Sequence, residues 1–255
     1  MATTSITVAE TPAVAAYLLL ADDALIHGHR LSEWTGHAPT LEEELALANI
    51  ALDLIGQARS LYQAAGALCG RTEDQLAYLR DQHQFRNALI MELPRGDFAF
   101  TMTRLLLSAA AADLFWRDSA GDAARASAPG NALGNVTAPT NPDLAAIAAK
   151  AAKETAYHVR HAAEWLIRLG DGTDESHRRA QDALDTLWPY TGELHTPSRD
   201  AWLAVVEPVI ARATLARPAD GWMQSGGRDG RHTEHLGHLL AEMQVLPRTF
   251  PGAVW

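Results

Sequence analysis

The residues best placed to do chemistry in this sequence lie in the stretch AKETAYHVRHAAEW, where Glu154, His158 and His161 follow one another at spacings of four and three. In a helix those spacings put all three side chains on one face, about one and two turns apart. One carboxylate and two imidazoles form a set that can hold a transition metal. The alternative is that Glu154 pairs with His158 or with a nearby arginine, while His161 lies at the surface.

A helical bundle that binds two irons needs ligands on four helices. It uses a Glu from each of two helices and a Glu-x-x-His pair from each of the other two. No Glu here is followed by a His three residues later, and Asp-x-x-His occurs only at Asp174/His177 and Asp229/His232, at a helix start and in a glycine-rich turn. The residues alone therefore give no complete catalytic or metal-binding set.

A second candidate is the line of Asn49, Asp53 and Gln57, which recurs every four residues in an otherwise apolar segment. Buried polar groups need hydrogen-bond partners. Asp53 is therefore either a metal ligand or, with the two amides, part of a hydrogen-bonded network or of a contact between subunits. Asn and Gln are poor iron ligands, and no His lies on this segment, so we favour the network or the subunit contact over the metal ligand.

Two histidine-rich segments allow the same two interpretations. The stretch IHGHRLSEWTGH offers His27, His29, Glu33 and His37 as ligands or as a solvated or interface face, and we favour the face. In GRHTEHLGHLLAEM three histidines recur at every third residue. That spacing drifts by about 60° per step around a helix, so structural or docking roles suit these histidines better than one shared metal.

The elements that must position these groups are helices. Apolar residues recur at helical spacing along the chain, and no run shows the alternation of a strand. Thr11 and Pro12 predict the start of the first helix, and Thr40 with Glu43 predicts a capping box at the start of the second. The predicted helices cover about residues 12–34, 40–70, 73–82, 85–91, 98–117, 143–169, 173–188, 199–215 and 232–245.

Residues 119–142 are small, polar and punctuated by Gly and Pro, so they form a loop or crossover between two helix pairs. Four long helices paired two and two across a long connection are the pattern of a ferritin-like bundle. We therefore predict an all-α fold, a ferritin-like helical bundle with additional helices, as a single domain over residues 1–255. Other helical bundles stay open on this reasoning.

The charge and the cysteine content of the chain exclude several kinds of partner and site. The formal charge of −10 and the lack of a long Lys/Arg run argue against nucleic acid or an anionic membrane as the main partner. One cysteine, Cys69, excludes an intramolecular disulfide and a cysteine-based zinc or iron–sulfur site. The N-terminal segment lacks the basic region of a signal peptide, and its apolar run stops at Asp22 and Asp23. We expect a cytoplasmic protein with no membrane span.

Five stretches of the chain resemble the C subunits of the bacterial ring-1,2-phenylacetyl-CoA epoxidases, multicomponent monooxygenases of aerobic phenylacetate degradation. They are LSEWTGHAPTLEEELALANIALDLIGQAR, DQHQFRNALIMELPRGDFAFTM, AAKAAKETAYHVRHAAEWLIRLGDGTDES, LWPYTGEL and GGRDGRHTEHLGHLLAEMQVLPRTFPG. Together they cover most of the chain, and residues 119–142 resemble that family least. The resemblance implies a ferritin-like fold and a non-catalytic member of an oxygenase.

In that family a sister subunit of similar fold holds the di-iron centre and the substrate, and the C subunit is its structural partner. A reductase with FAD and an iron–sulfur cluster delivers electrons from NADPH, and a small further subunit helps to assemble the complex. The resemblance therefore implies these partners, no cofactor in this chain, and consumption of phenylacetyl-CoA, O₂ and NADPH by the complex. The isolated chain could also form a homodimer.

The resemblance also implies where the metal ligands of the sister subunit would fall on this chain. The six positions, which we regard as vestigial, are Glu33, Leu54, Gln57, Ser108, Thr155 and His158. Only Glu33 and His158 keep a residue type that ligates iron, so we expect neither a metal site nor a catalytic residue. Glu154 lies one residue away from a ligand position, which turns it by about 100° around the helix.

Two other functions stay open. The chain could be a metal-binding ferritin-like oxidoreductase in its own right, using Glu33, Glu154, His158 and His161. It could also be a helical adaptor outside any oxygenase.

Overall fold

The computed structural model describes residues 5–124, 132–133, 136–137, 142–194 and 198–253. Within these residues the α-helices are α1 (Pro12–Ser32), α2 (Leu41–Cys69), α3 (Glu73–Tyr78), α4 (Leu89–Glu92), α5 (Phe98–Ala124), α6 (Pro142–Gly170), α7 (Asp174–Leu187), α8 (Arg199–Arg212) and α9 (Glu234–Thr249). Short 3₁₀ helices span Gln82–Gln84, Trp188–Glu193 and Gly227–Asp229. The predicted helical segments are confirmed, although α3 and α4 are shorter than the predicted segments 73–82 and 85–91.

Two pairs of long helices form the bundle. α1 packs along α2 and α5 packs along α6, while α2 and α6 bring the two pairs into contact. α7 and α8 pack on the α5–α6 pair, and α9 packs against α3 and α4. The fold is therefore the all-α, ferritin-like helical bundle with additional helices that the sequence predicts.

The connection between the two pairs starts later than expected. α5 continues to Ala124 instead of ending near Arg117, so the first residues of the predicted 119–142 loop are helical. Within the connection, β1 (Ala132–Leu133) pairs with β2 (Val136–Thr137) in an antiparallel ladder of two residues each. The other residues of the connection, 125–131, 134–135 and 138–141, lie outside the described part of the chain.

The helix ends show which sequence signals were right. The Thr11 side chain accepts a hydrogen bond from the backbone N–H of Val14, as expected of an N-cap. The capping box predicted at Thr40 and Glu43 is wrong, because the Thr40 side chain makes no capping hydrogen bond and Glu43 is buried. α2 ends at Gly70, whose φ of 69° is the left-handed conformation that glycine adopts without strain.

α5 lies largely inside the bundle. Its segment Phe98–Ala120 is long and apolar enough to cross a membrane by length and composition, and 78% of an 18-residue apolar stretch within it is buried inside the protein. A helix that is apolar all round is also what the centre of a bundle requires. The described side chains of α5 contribute Leu105, Leu106, Leu107 and Phe115 to the hydrophobic core.

Candidate functional site: a polar cavity in the bundle

A cavity of about 60 Å³ lies among α1, α2, α5 and α6. Most of its wall is apolar, with contributions from side chains such as Phe115 and Trp116. Six polar residues also line it, and they are Asp23, His27, Gln57, Ser108, Thr155 and His158. This cavity is the candidate site, because it gathers buried polar groups from all four long helices.

Five of the six positions predicted as vestigial lie on the wall of this cavity. Leu54 and Gln57 face it from α2, Ser108 from α5, and Thr155 and His158 from α6. The two pairs are each spaced by three residues, the spacing at which two side chains leave the same face of a helix. The structure thus brings these five residues together, whereas the correspondence with ligands of a sister subunit stays a prediction.

The structure does not bring Glu33 to the cavity. Glu33 caps the end of α1, and its Oε1 accepts a hydrogen bond of 2.6 Å from Arg30 Nη1. The part of α1 level with Leu54 is Gly28, since a Cβ built at Gly28 would lie 3.4 Å from Leu54 Cβ. Glu33 lies more than one helical turn beyond that level. The polar α1 side chains that line the cavity are instead Asp23 and His27.

Sequence reasoning missed Asp23 and named His27 as a candidate ligand without favouring that role. The sequence marks Asp23 only as the end of an apolar run, although a carboxylate inside an apolar helix is a signal of a buried polar site. For His27, as for His29 and His37, the favoured prediction is a solvated or interface face. The exposed His37 fits that interpretation, but His27 is buried.

Asp23 is held by an arginine from the C-terminal part of the chain. Arg228 Nη1 donates to Oδ1 at 2.9 Å and Nη2 donates to Oδ2 at 2.7 Å. The backbone N–H of Ala88 adds a third hydrogen bond of 2.7 Å to Oδ1. Burial raises the pKa of Asp23, and the pairing with Arg228 opposes that rise. Both carboxylate oxygens are therefore occupied by donors of the chain itself.

The polar residues of α2 and α6 pair with each other across the interface between the two helices. Gln57 Nε2 donates to Glu154 Oε2 at 2.9 Å, and His158 Nε2 lies 3.0 Å from Asp53 Oδ2. Burial lowers the pKa of His158, while the hydrogen bond to Asp53 opposes this. Asp53 and Gln57 thus have the hydrogen-bond partners that the structural interpretation predicts, whereas Asn49 is exposed.

The face of Glu154, His158 and His161 does not form one site. Each of the three contacts a different residue of α2: Glu154 contacts Gln57, His158 contacts Asp53, and His161 contacts Glu43. The expected pairing of Glu154 with His158 or an arginine is wrong, since its other close partner is Lys150 at 3.4 Å. The surface position expected for His161 is also wrong, because its side chain is only 12% exposed.

His27 is the most strongly perturbed group on the cavity wall. Its pKa lies well below the usual value because the ring is buried, with smaller contributions from the nearby Arg104 and His158. Its Nδ1 lies 3.4 Å from the Ser108 hydroxyl. The imidazole is therefore neutral at physiological pH.

Thr155 connects the cavity to a further carboxylate. Its hydroxyl donates to the backbone oxygen of Ala151 at 2.9 Å and lies 3.4 Å from Asp113 Oδ1. Burial raises the pKa of Asp113, although an ion pair of 3.0 Å with Arg117 opposes this. Asp113 therefore already has a cationic partner within its own helix.

The histidines near the C-terminus have separate roles. The His232 side chain is fully buried, with Nδ1 2.8 Å from Glu92 Oε2 and Nε2 3.0 Å from the backbone oxygen of Phe85. His238 is exposed on α9. The structural role predicted for this segment is confirmed for His232.

These residues do not fit a pair of iron ions. Among the described residues no group of three or more His, Cys, Asp or Glu side chains is arranged to hold a metal. At the cavity Leu54, Ser108 and Thr155 offer no carboxylate or imidazole, and Asp23 is bound to Arg228. Two irons need a much larger set of carboxylates and imidazoles.

The chain is similar to known proteins along nearly its whole length. The chain matches the family model of the phenylacetic acid catabolic protein over residues 1–128 and 131–255. It is 42% identical over 258 residues to the C subunit of the 1,2-phenylacetyl-CoA epoxidase of Escherichia coli (strain K12), and the match covers 93% of this chain and 97% of that protein. The resemblance seen in the five sequence stretches is thereby confirmed.

Proposed function

Because the chain belongs to the phenylacetic acid catabolic protein family, we propose that it is the non-catalytic structural subunit of a monooxygenase that epoxidises the aromatic ring of phenylacetyl-CoA. In this proposal the chain is one cytoplasmic domain that pairs with a di-iron sister subunit and supports it. The substrate and the irons are bound by that sister subunit. A small assembly subunit and a reductase with FAD and an iron–sulfur cluster complete the NADPH-dependent complex.

The observation that carries the proposal is the chemistry of the cavity wall. A di-iron bundle presents Glu and Glu-x-x-His at the cavity-facing positions of its four helices. The pairs that we predict to correspond are Leu54/Gln57 and Thr155/His158, with Ser108 on a third helix, and all five residues line the cavity. Only one of these five side chains is an imidazole, and none is a carboxylate. This supports a subunit that has the helical bundle but does not bind the metal. Its contribution to an oxygenase then comes from its folded surface.

Co-expression with the di-iron subunit tests the proposal. The two chains are expected to co-purify as a stable complex. Omitting this chain is expected to leave the di-iron subunit poorly soluble or unable to epoxidise phenylacetyl-CoA in the presence of the reductase. Full activity and solubility of the di-iron subunit alone would refute the supporting role.

The location of the iron is tested with a pair of variants. His158→Ala removes the one imidazole among the five predicted positions, and His37→Ala removes an exposed imidazole as the matched control. Iron per complex, measured by elemental analysis, is expected to be the same in both variants and in the unmodified complex. Near-stoichiometric iron in the isolated chain that is lost only in His158→Ala would favour a metalloenzyme instead.

A further inference from the structure

Both ring nitrogens of His232 lie beside hydrogen-bond acceptors. The side chain has 0% exposure, Nδ1 lies 2.8 Å from Glu92 Oε2, and Nε2 lies 3.0 Å from the backbone oxygen of Phe85. A neutral imidazole carries one N–H and one lone pair, so it can donate to only one of these two acceptors. A buried acceptor that faces a lone pair instead of a donor costs free energy. The geometry therefore requires one proton more than a neutral imidazole beside an ionised carboxylate provides.

Glu92 receives donors at both of its carboxylate oxygens. Its side chain also has 0% exposure, Oε1 accepts from the backbone N–H of Thr233 at 2.6 Å, and Oε2 accepts from Asn87 Nδ2 at 2.8 Å. Hydrogen bonds of this kind favour the ionised form of a carboxyl group. A buried carboxylate is costly unless a cation lies beside it, and the ionisable nitrogen that contacts Glu92 is Nδ1 of His232.

The nearby Arg30 of α1 does not take this place. Its Nη2 donates to the backbone oxygens of Glu92 at 2.8 Å and His235 at 3.0 Å, so it contacts the main chain around the pair. Its Nη1 pairs with the carboxylate of Glu33 at 2.6 Å. The positive charge of Arg30 is thus matched by another carboxylate, and the charge of Glu92 is left to His232.

Arg86 approaches the other side of the imidazole. Its Nη1 donates to the backbone oxygen of Phe85 at 2.9 Å, and this oxygen also lies beside His232 Nε2. A carbonyl oxygen has two lone pairs and can accept from both donors. The guanidinium of Arg86 pairs with Glu10 at 2.8 Å, so its charge is matched outside the pair.

The pair joins two elements that are far apart in the sequence. Glu92 is the last residue of α4, and Thr233 immediately precedes α9. The carboxylate therefore holds the start of α9 through the backbone N–H of Thr233 and through the ring of His232. We call this contact the Glu92–His232 latch.

We propose that Glu92 and His232 hold one buried proton between Oε2 and Nδ1, and that this proton keeps the start of α9 attached to α4. A second proton, on Nε2, completes the hydrogen bond to Phe85. An exposed imidazole has an ordinary pKa of about 6.5, so above this pH the unfolded chain lacks a proton that the folded latch retains. Unfolding then releases one proton, and the stability that the latch contributes is complete at lower pH and is lost as the pH rises. This inference does not depend on the proposed function.

Neutron diffraction from crystals of the full chain tests the proposal directly. The crystals are grown in deuterated solvent about one pH unit above the ordinary value of ~6.5 for an imidazole. The expected result is a deuterium atom between Glu92 Oε2 and His232 Nδ1, together with a second one on Nε2. A ring with deuterium on only one nitrogen beside a carboxylate without deuterium would overturn the proposal.

Urea denaturation of the full chain at a series of pH values gives a second test. His232→Gln removes the imidazole of the latch, and His238→Gln is the matched control because it removes an exposed imidazole from α9. The unfolding constant of the unmodified chain, divided by that of His232→Gln, should rise by up to about tenfold per pH unit above about 6.5. The same ratio for His238→Gln should not change with pH. A ratio for His232→Gln that is independent of pH would overturn the proposal, and the neutron structure decides the question if this variant does not fold.

Discussion

Asp22 is a buried charge whose loss should strongly destabilise the chain. It has 0% exposure in α1, and its carboxylate forms an ion pair with the equally buried Arg80. The Tyr62 hydroxyl donates to Oδ1 at 2.5 Å, and the backbone N–H of Arg86 donates to Oδ2 at 2.7 Å. Asp22→Ala therefore removes the acceptor of several hydrogen bonds at once and leaves a buried cation behind.

The loss of stability in Asp22→Ala depends on the contacts that Arg80 retains. Removing one partner of a buried ion pair typically costs about 3–5 kcal/mol. Arg80 retains hydrogen bonds to the backbone oxygens of Leu76 at 2.5 Å and Gln84 at 2.9 Å, and its guanidinium lies 4.2 Å from the ring centroid of Phe85. These contacts compensate part of the charge, so we expect the lower end of that range, about 3 kcal/mol.

The assay is urea denaturation of the chain followed by circular dichroism, with the free energy of unfolding extrapolated to water. Glu175→Ala is the control, because it also removes an ion pair with arginines but on an exposed face, and no measurable change is expected. Asp22→Ala combined with Arg80→Met should recover part of the loss, since no unpaired charge remains. A loss below about 1 kcal/mol for Asp22→Ala would refute the reasoning.

Three further predictions concern the helices and the cavity. Gly66→Ala should destabilise the chain, because the new Cβ would lie 2.2 Å from a backbone oxygen of the following loop, whereas Gly56→Ala meets no close atom and should raise the melting temperature. Thr11→Ala should cost about 1 kcal/mol in urea denaturation, while Thr40→Ala, which removes no capping hydrogen bond, should cost clearly less. His27 has a folded-state pKa below its unfolded value, so the unfolded chain binds its proton first and stability should fall as the pH drops below about 6.5. His27→Leu should flatten that dependence in melting temperatures measured across the pH range, and an unchanged slope would contradict the assignment.

The helices could be predicted from the sequence because their apolar spacing and their end signals are local. Thr11 acts at the start of its own helix, and the structure confirms it. The capping box at Thr40 failed because Glu43 is buried in the finished bundle with Oε2 3.1 Å from Nε2 of His161. That contact joins residues more than a hundred positions apart, and tertiary packing overrides a local capping preference.

The site was predictable only where spacing within one helix was enough. Leu54 with Gln57 and Thr155 with His158 share a face because each pair is three residues apart, and the structure places both pairs on one cavity. Spacing within a helix does not say which residue of a neighbouring helix lies at the same level. The alignment of one helix along another is set by packing, and here Gly28 of α1 packs closely against α2. As a result Asp23 lines the cavity, where Glu33 was expected.

Arg228 explains how a carboxylate persists inside this bundle. A buried carboxylate is costly unless a cation and further donors satisfy it, and in metal-binding bundles the ions supply that charge. Here the charge of Asp23 is matched by Arg228, which also donates to the backbone oxygens of Arg86 and Glu193. Gly227 permits this approach, since a Cβ there would lie 2.2 Å from the backbone oxygen of Asn87.

The same contacts give the glycine-rich segment before α9 a physical role. Arg228 joins α1, the segment after α3 and the 3₁₀ helix that follows α7, so its position depends on the fold of three distant parts of the chain. Asp23 is then neutralised only when those parts are assembled. The core carboxylate therefore couples the bundle to its additional helices through the chain's own arginine.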